Sequence, residues 1–206
     1  MQQPKWEARR TTDGELGRVG SVLAAAFQDD PMWRWALGRD ATDERRARLD
    51  RFFGALVRKV YAGKELVFTA GDFAGSAVWT PPGAWKFSLA DEARVAPAVL
   101  GAFGAAGTVR LLQLLAGVER VHLREPHYYL FAIGTDPAQQ GRGVGSALLA
   151  PMLARCDQER MPAYLESSKP ENVPFYRRHG FVEMGPPLQF GGGGVVVTPM
   201  RRAPRG

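Results

Sequence analysis

The sequence predicts an α/β fold in which a mixed sheet is covered by helices. Three observations carry this. Segments of helical period alternate with short runs rich in β-branched and aromatic residues. One strongly apolar run, HYYLFAIGT from His127 to Thr135, leads into a glycine-rich turn and then a helical pattern. No repeat or linker interrupts the 206 residues, and 45% of them are hydrophobic, enough for one sizeable core. Helices and strands mixed in a chain of this size pack as a sheet with covering helices, and one domain, 1–206, is expected.

Trp6 to Arg10 reads as a short first strand. A helix follows Thr12–Asp13, with Leu16, Val19, Val22, Leu23 and Ala26 on one face. Asp30 before Pro31 is a helix cap with proline at the first helical position, which starts the short helix PMWRWALG. A longer helix runs from about Asp43 to Tyr61 on Leu49, Phe52, Phe53, Leu56, Val57 and Val60. The period then changes. Glu65–Ala70 and Phe73–Trp79 form strands joined by a turn at Gly71–Asp72, and Pro81–Pro82 end the second. Two helical segments fill about Leu89 to Val118. The strand His127–Thr135 is stopped by Asp136–Pro137. Beyond the glycines a helix runs from about Gly143 to Glu159, and Ala163–Ser168 is a strand. Pro174–His179 is a short helix with Gly180 as its C-cap. Phe181–Phe190 and Val195–Arg201 form a final hairpin turned by Gly191–Gly194.

Composition narrows the function. Lys and Arg number 27 against 21 Asp and Glu, a net charge of +6, which favours anionic ligands. The cations are scattered and not interleaved with aromatics, so no nucleic-acid partner is expected. Cys156 is the single cysteine and lies in a helical pattern as a packing residue. No intramolecular disulfide is possible, which fits a reducing, cytoplasmic location. The N-terminus MQQPKWEARR has no apolar leader. AVLGAFGAAGTVRLLQLLAG is broken by Gly and Arg110 and is expected to be a buried helix or helix pair, with no membrane partner. His122, His127 and His179 lack metal-ligand spacing, so no metal is expected.

Gln140-Gly141-Arg142-Gly143-Val144-Gly145-Ser146 carries the chemistry. A glycine inside a helix costs about 0.8–1.0 kcal/mol relative to alanine, so three at a helix start need a reason. A strand, a glycine turn and a helix N-terminus make an anion cradle, in which backbone N–H groups and the helix dipole meet a phosphate. Glycine lets the anion reach the backbone. The GxxxxGK[ST] nucleotide loop is absent, and Ser146 replaces the last glycine of a dinucleotide GxGxxG.

The same residues match the [QR]xxGx[GA] pyrophosphate signature of the GNAT superfamily of N-acetyltransferases. Downstream, Pro162-Ala163-Tyr164-Leu165-Glu166-Ser167-Ser168 and Asn172-Val173-Pro174-Phe175-Tyr176, followed by Gly180-Phe181, resemble that superfamily's later strand and helix. Together with Ala77-Val78-Trp79-Thr80 they are similar to puromycin N-acetyltransferase-like members. The resemblance implies a mostly antiparallel central sheet whose splayed parallel strands receive acetyl-CoA, the acyl donor. It implies an acetyl-CoA core at about 127–182, acceptor-side helices at about 13–61 and a helical insertion at about 81–124. Ile133, Gly134 and Thr135 are then expected to pair with the pantetheine arm. Gly141, Arg142, Gly143, Val144, Gly145 and Ser146 hold the pyrophosphate. Asn172 contacts the arm, although its spacing to Tyr176 is shorter than in many members.

The resemblance implies a reaction in which an amine attacks the thioester directly. Tyr176 is the expected general acid for the departing thiolate. Glu166, a charged residue inside a strand, stands at the position of a base; it reads otherwise as a carboxylate on a solvated strand end or paired with an arginine. Phe27, Asp29 and Trp33 are the expected substrate-binding residues, since aromatics with a carboxylate suit an amphipathic amine. The expected activity is acetylation of the primary amine of a small molecule, by a monomer or homodimer. The alternatives are a non-catalytic acyl-CoA-binding regulatory module and an acetyltransferase for protein N-termini or lysines.

Overall fold

The computed structural model describes residues 6–38 and 42–206. Residues 1–5, on which the expected absence of a leader partly rests, lie outside them. The chain runs β1 (Ala8–Arg10), α1 (Leu16–Phe27), α2 (Pro31–Leu37), α3 (Thr42–Val60), β2 (Val67–Ala70), β3 (Gly75–Thr80), α4 (Leu89–Val121) and β4 (Tyr128–Thr135). It continues through α5 (Val144–Gln158), β5 (Ala163–Ser167), α6 (Val173–Arg178), β6 (Val182–Glu183), β7 (Leu188–Phe190) and β8 (Val195–Arg202). The sheet order is β1-β2-β3-β4-β5-β8-β6, with β7 also on β8. Among the described residues every pairing is antiparallel except β4 with β5.

Two features of the sheet shape the site. The parallel pair is joined only at Tyr128–Ala163 and Tyr129–Tyr164. Beyond Tyr129 the two strands share no ladder pair and leave a seam. The β3–β4 register also skips Phe131, passing from Leu130 opposite Trp79 to Ala132 opposite Val78. This bulge re-aims the strand. Tyr128 and Leu130 pack with α5 residues Leu148, Leu149 and Met152, whereas Ala132 packs with Leu23, Phe53 and Leu56 on the α1–α3 side.

Both helix layers approach the sheet closely beside the seam, at glycines. A Cβ on Gly134 would lie 2.6 Å from the Ala26 Cβ of α1. A Cβ on Gly75 would lie 2.6 Å from Val144 at the start of α5. The end of α1 and the start of α5 are thereby drawn to the same place.

Two expectations are corrected. The arm expected at Phe181–Phe190 is split into β6 and β7, because Pro186 and Pro187 have no N–H for the ladder and Gly185 turns with φ 72°. The helical insertion is not wholly buried. Gly104 (φ 60°, ψ −177°) breaks α4 into the two segments read from the sequence. Val95, Ala102, Phe103 and Leu114 face the protein, but Leu100, Val109, Leu112 and Leu115 are exposed. By length and composition α4 is apolar enough to cross a membrane.

The α1–α3 crossing supplies a stability prediction. Gly20 and Gly54 meet there, and a Cβ on Gly20 would stand 2.6 Å from the Gly54 backbone. Gly→Ala within a compatible helix normally stabilises by about 0.4–1 kcal/mol. Gly101→Ala in α4, where nothing lies within 4 Å, is expected to follow that rule. Gly20→Ala is expected to reverse the sign and cost about 1–3 kcal/mol, because backbone cannot move aside as a side chain does. Urea unfolding midpoints for the two variants check this.

A candidate active site at the glycine loop

A cavity of about 510 Å³ opens at the seam. One wall is β4 at Ile133, Gly134 and Thr135. The floor is Gly141, Gly143, Val144, Gly145 and Ser146, where the glycine loop becomes α5. Asn172, Phe175, Tyr176 and Arg178 of the α6 segment face them, with Lys169 beside them. Ala26, Phe27 and Asp30 close the end between α1 and α2.

The loop conformation explains its glycines. Gly141 (φ 73°) and Gly143 (φ 90°) are left-handed, a region that side chains disfavour. Gly143 is the N-cap of α5, and the N–H groups of Val144, Gly145 and Ser146 in the first turn have no intrahelical acceptor. A Cβ on Gly145 would lie 3.0 Å from the Phe175 ring, so α6 closes directly on the helix start. The Arg142 carbonyl accepts a hydrogen bond from Trp6 Nε1 at 2.8 Å. In a trans peptide that points the Gly143 N–H the opposite way from Trp6. Lys169 and Arg178 add positive charge to the wall. Free N–H groups, a helix dipole, left-handed glycines and two cations suit a pyrophosphate.

At the other end, Tyr176 is buried but lines the cavity. Burial, and then the charge of Asp30, pushes its phenol above the usual tyrosine value. It therefore keeps its proton at neutral pH. Asp30 caps α2, with Oδ1 accepting from Met32 N at 2.9 Å. Its Oδ2 accepts from Ser168 Oγ at 2.6 Å, across 138 positions of sequence.

A family model described as an acetyltransferase (GNAT) domain matches residues 111–203, which hold this loop, Glu166 and Tyr176. This match, a relative and a solved structure together support the GNAT superfamily of N-acetyltransferases. An uncharacterized N-acetyltransferase of Schizosaccharomyces pombe is 28% identical over 85% of this chain and 74% of its own. A Corynebacterium glutamicum structure, described as histone acetyltransferase HPA2 and related acetyltransferase, superposes with a TM-score of 0.74. It has 26% identity and covers 98% of this chain and 97% of its own. The Drosophila melanogaster polyamine N-acetyltransferase, described as forming N-acetylagmatine, has a TM-score of 0.60 at 14% identity. It covers 97% of this chain and all of its own. At that identity it speaks to the fold alone.

The cavity gathers most of the residues singled out from the sequence. Ile133, Gly134, Thr135, Gly141, Gly143, Val144, Gly145, Ser146, Asn172, Tyr176 and Phe27 all line it. Arg142 does not; its Nη1 donates to Gln139 Oε1 at 3.4 Å. Trp33 is buried away from the cavity, with ring centroids 5.5 Å from Phe52 and 5.2 Å from Phe53. Asp29 is exposed and turned toward Arg45, 3.4 Å away.

Glu166 is elsewhere too. Its side chain is buried and its partner is a histidine, not an arginine: Oε1 lies 3.0 Å from His122 Nδ1. His122 Nε2 lies 3.1 Å from His127 Nε2, and His127 Nδ1 lies 2.7 Å from the Glu125 carbonyl. The tautomers follow from the far end. A carbonyl only accepts, so His127 Nδ1 is the donor. Burial lowers the His127 pKa, so the ring is neutral and its Nε2 accepts from His122 Nε2–H. Trp85 stacks on His122 with centroids 3.8 Å apart, which seals the group. The Glu166 charge, after burial, raises the pKa of the Tyr129 and Tyr164 phenols.

Sequence reasoning grouped Asp30 with the acceptor-side aromatics but favoured a helix-cap role for it, and did not single out Lys169 as a cavity residue. The signal for Lys169 was a cation just before the Asn172–Tyr176 helix. For Asp30 there was none beyond its place beside Phe27, because the Ser168 bond depends on the fold.

Proposed function

We propose that this N-acetyltransferase takes acetyl-CoA as donor and acetylates the primary amine of a small molecule by direct attack on the thioester. The observation that carries the reading is the single cavity joining an anion-binding helix start to a buried phenol and a carboxylate. The pyrophosphate is held on the N–H groups of 143–146, with Lys169 and Arg178 near. The pantetheine arm lies in the seam along Ile133–Thr135, where β4 has backbone groups to spare and an added strand pairs well. Tyr176 protonates the leaving sulfur.

Small acceptors are supported by the end of the cavity between α1 and α2, where Phe27 and Asp30 offer an apolar face and a carboxylate. Structural neighbours named for agmatine, polyamine and arylalkylamine acetylation agree in kind. The C. glutamicum neighbour is named for a histone acceptor, so peptides belong in the same test.

Thiol release from acetyl-CoA, measured against pooled amines and peptides, tests the reading. Turnover is expected with aralkylamines, aminoacyl-nucleosides (puromycin first) or amino-acid-like amines before peptides. Peptide acetylation with every small amine inert overturns the acceptor class. No thiol release with any acceptor, in a protein that binds acetyl-CoA, leaves the regulatory module as the answer.

A further inference from the structure

We infer that Asp30, and not Glu166, is the catalytic base that takes the proton from the acceptor ammonium. This rests on the amine-acetylating reading above and names the residue that reading leaves open. A base must reach the nitrogen while the nitrogen faces the thioester. Asp30 lines the cavity with Tyr176, whereas Glu166 does not line it and is bound to His122.

The Asp30 carboxylate is 1% exposed and held at both oxygens, by Met32 N and by Ser168 Oγ. An ionised carboxylate has about four lone-pair sites; Met32 N, Ser168 Oγ and the Trp33 backbone N–H leave one for a ligand. Capping alone uses only Oδ1. Burial raises the Asp30 pKa, against the Ser168 hydrogen bond and the Lys169 charge, which lower it. Lys169 and Tyr176 are the ionisable groups facing it from the β5–α6 connection and from α6. Its neighbour Asp29 turns outward to Arg45. A base displaced toward neutrality is better matched to an ammonium than an exposed aspartate.

The proton balance closes. An ammonium N–H breaks as an O–H forms on Asp30, and the freed amine attacks the acyl carbon. As the C–S bond breaks, Tyr176 gives its proton to sulfur. The tyrosinate recovers one from the acylated nitrogen, and Asp30 releases its own to solvent. Two protons leave nitrogen; one ends on the thiol and one in water.

The experiment compares wild type, Asp30→Asn and Glu166→Gln across pH with two acceptors. One is an alkylamine; the other is an alkoxyamine, already neutral at pH 7. Asn keeps an oxygen for Met32 N, and CoA binding by calorimetry checks the fold. Asp30→Asn is expected to lower alkylamine turnover at pH 7 by about 10²–10⁴-fold and to recover as pH rises and free amine accumulates. Its alkoxyamine turnover should fall far less. Glu166→Gln should show no such split between acceptors. Equal losses on both acceptors, near-wild-type alkylamine turnover, or the split appearing in Glu166→Gln instead overturns the inference and spares the reading. A wild type that acetylates neither amine overturns both.

Discussion

Tyr176→Phe is expected to lower the turnover number by about 10²–10⁴-fold, the usual worth of a general acid. The substitution removes one oxygen and keeps the ring that packs against Phe175 and Phe181, with centroids 5.1 and 6.0 Å away. Acetyl-CoA affinity should therefore hardly change. Burial and the Asp30 charge hold the phenol in its acid form. A phenol is less acidic than an ordinary thiol, so in the proposed reaction it would yield its proton only once sulfur carries real negative charge, late in C–S cleavage. Single-turnover kinetics measure the chemical step. If that step is unchanged, Tyr176 is a packing residue.

Gly143→Asp is expected to abolish useful acetyl-CoA affinity, by about a hundredfold or more, equivalent to roughly 2.7 kcal/mol. Two effects add. The position is left-handed, φ 90° and ψ 2°, and a side chain there is strained. The new carboxylate also stands at the N-cap, where the pyrophosphate is to bind. Asp and Asn are the side chains that tolerate this region best. A Cβ at 143 meets only Trp6, at 3.9 Å, so the fold should survive. Gly143→Asn carries nearly the same backbone cost without charge. Titration calorimetry on the pair separates the contributions, with Asn expected to retain clearly more affinity. Equal affinities for wild type and Asp, both folded, remove the pyrophosphate from this loop.

What the sequence disclosed and what it hid divide along one line. The glycine loop was legible because each part is local: an apolar strand, glycines where φ turns positive, and a helix start. Asp30 was legible as a cap for the same reason, since its Met32 N partner is two residues on. Its Ser168 partner comes from a connection brought over by β5, and no local pattern records that. Trp33 illustrates the converse. An aromatic near an acidic pair suits a ligand, yet Phe52, Phe53 and Phe103 from α3 and α4 enclose it. Glu166 stood out correctly as a charge inside a strand. Its compensation by His122, 44 positions earlier, belongs to tertiary structure.

The seam between β4 and β5 also bears on how long the protein survives. The sheet is continuous there through two ladder pairs only, near Tyr128 and Tyr129. A ligand seated in the seam spans both halves, so it binds the folded chain and has no equivalent site on the unfolded one. At a hundred times its dissociation constant such a ligand adds about 2.7 kcal/mol to stability. Domains hold only about 5–15 kcal/mol in total, and changes of this size alter abundance in cells several-fold. On the proposed reading the donor would act as a splint as well as a substrate, and the lifetime of the protein would follow the supply of what it consumes.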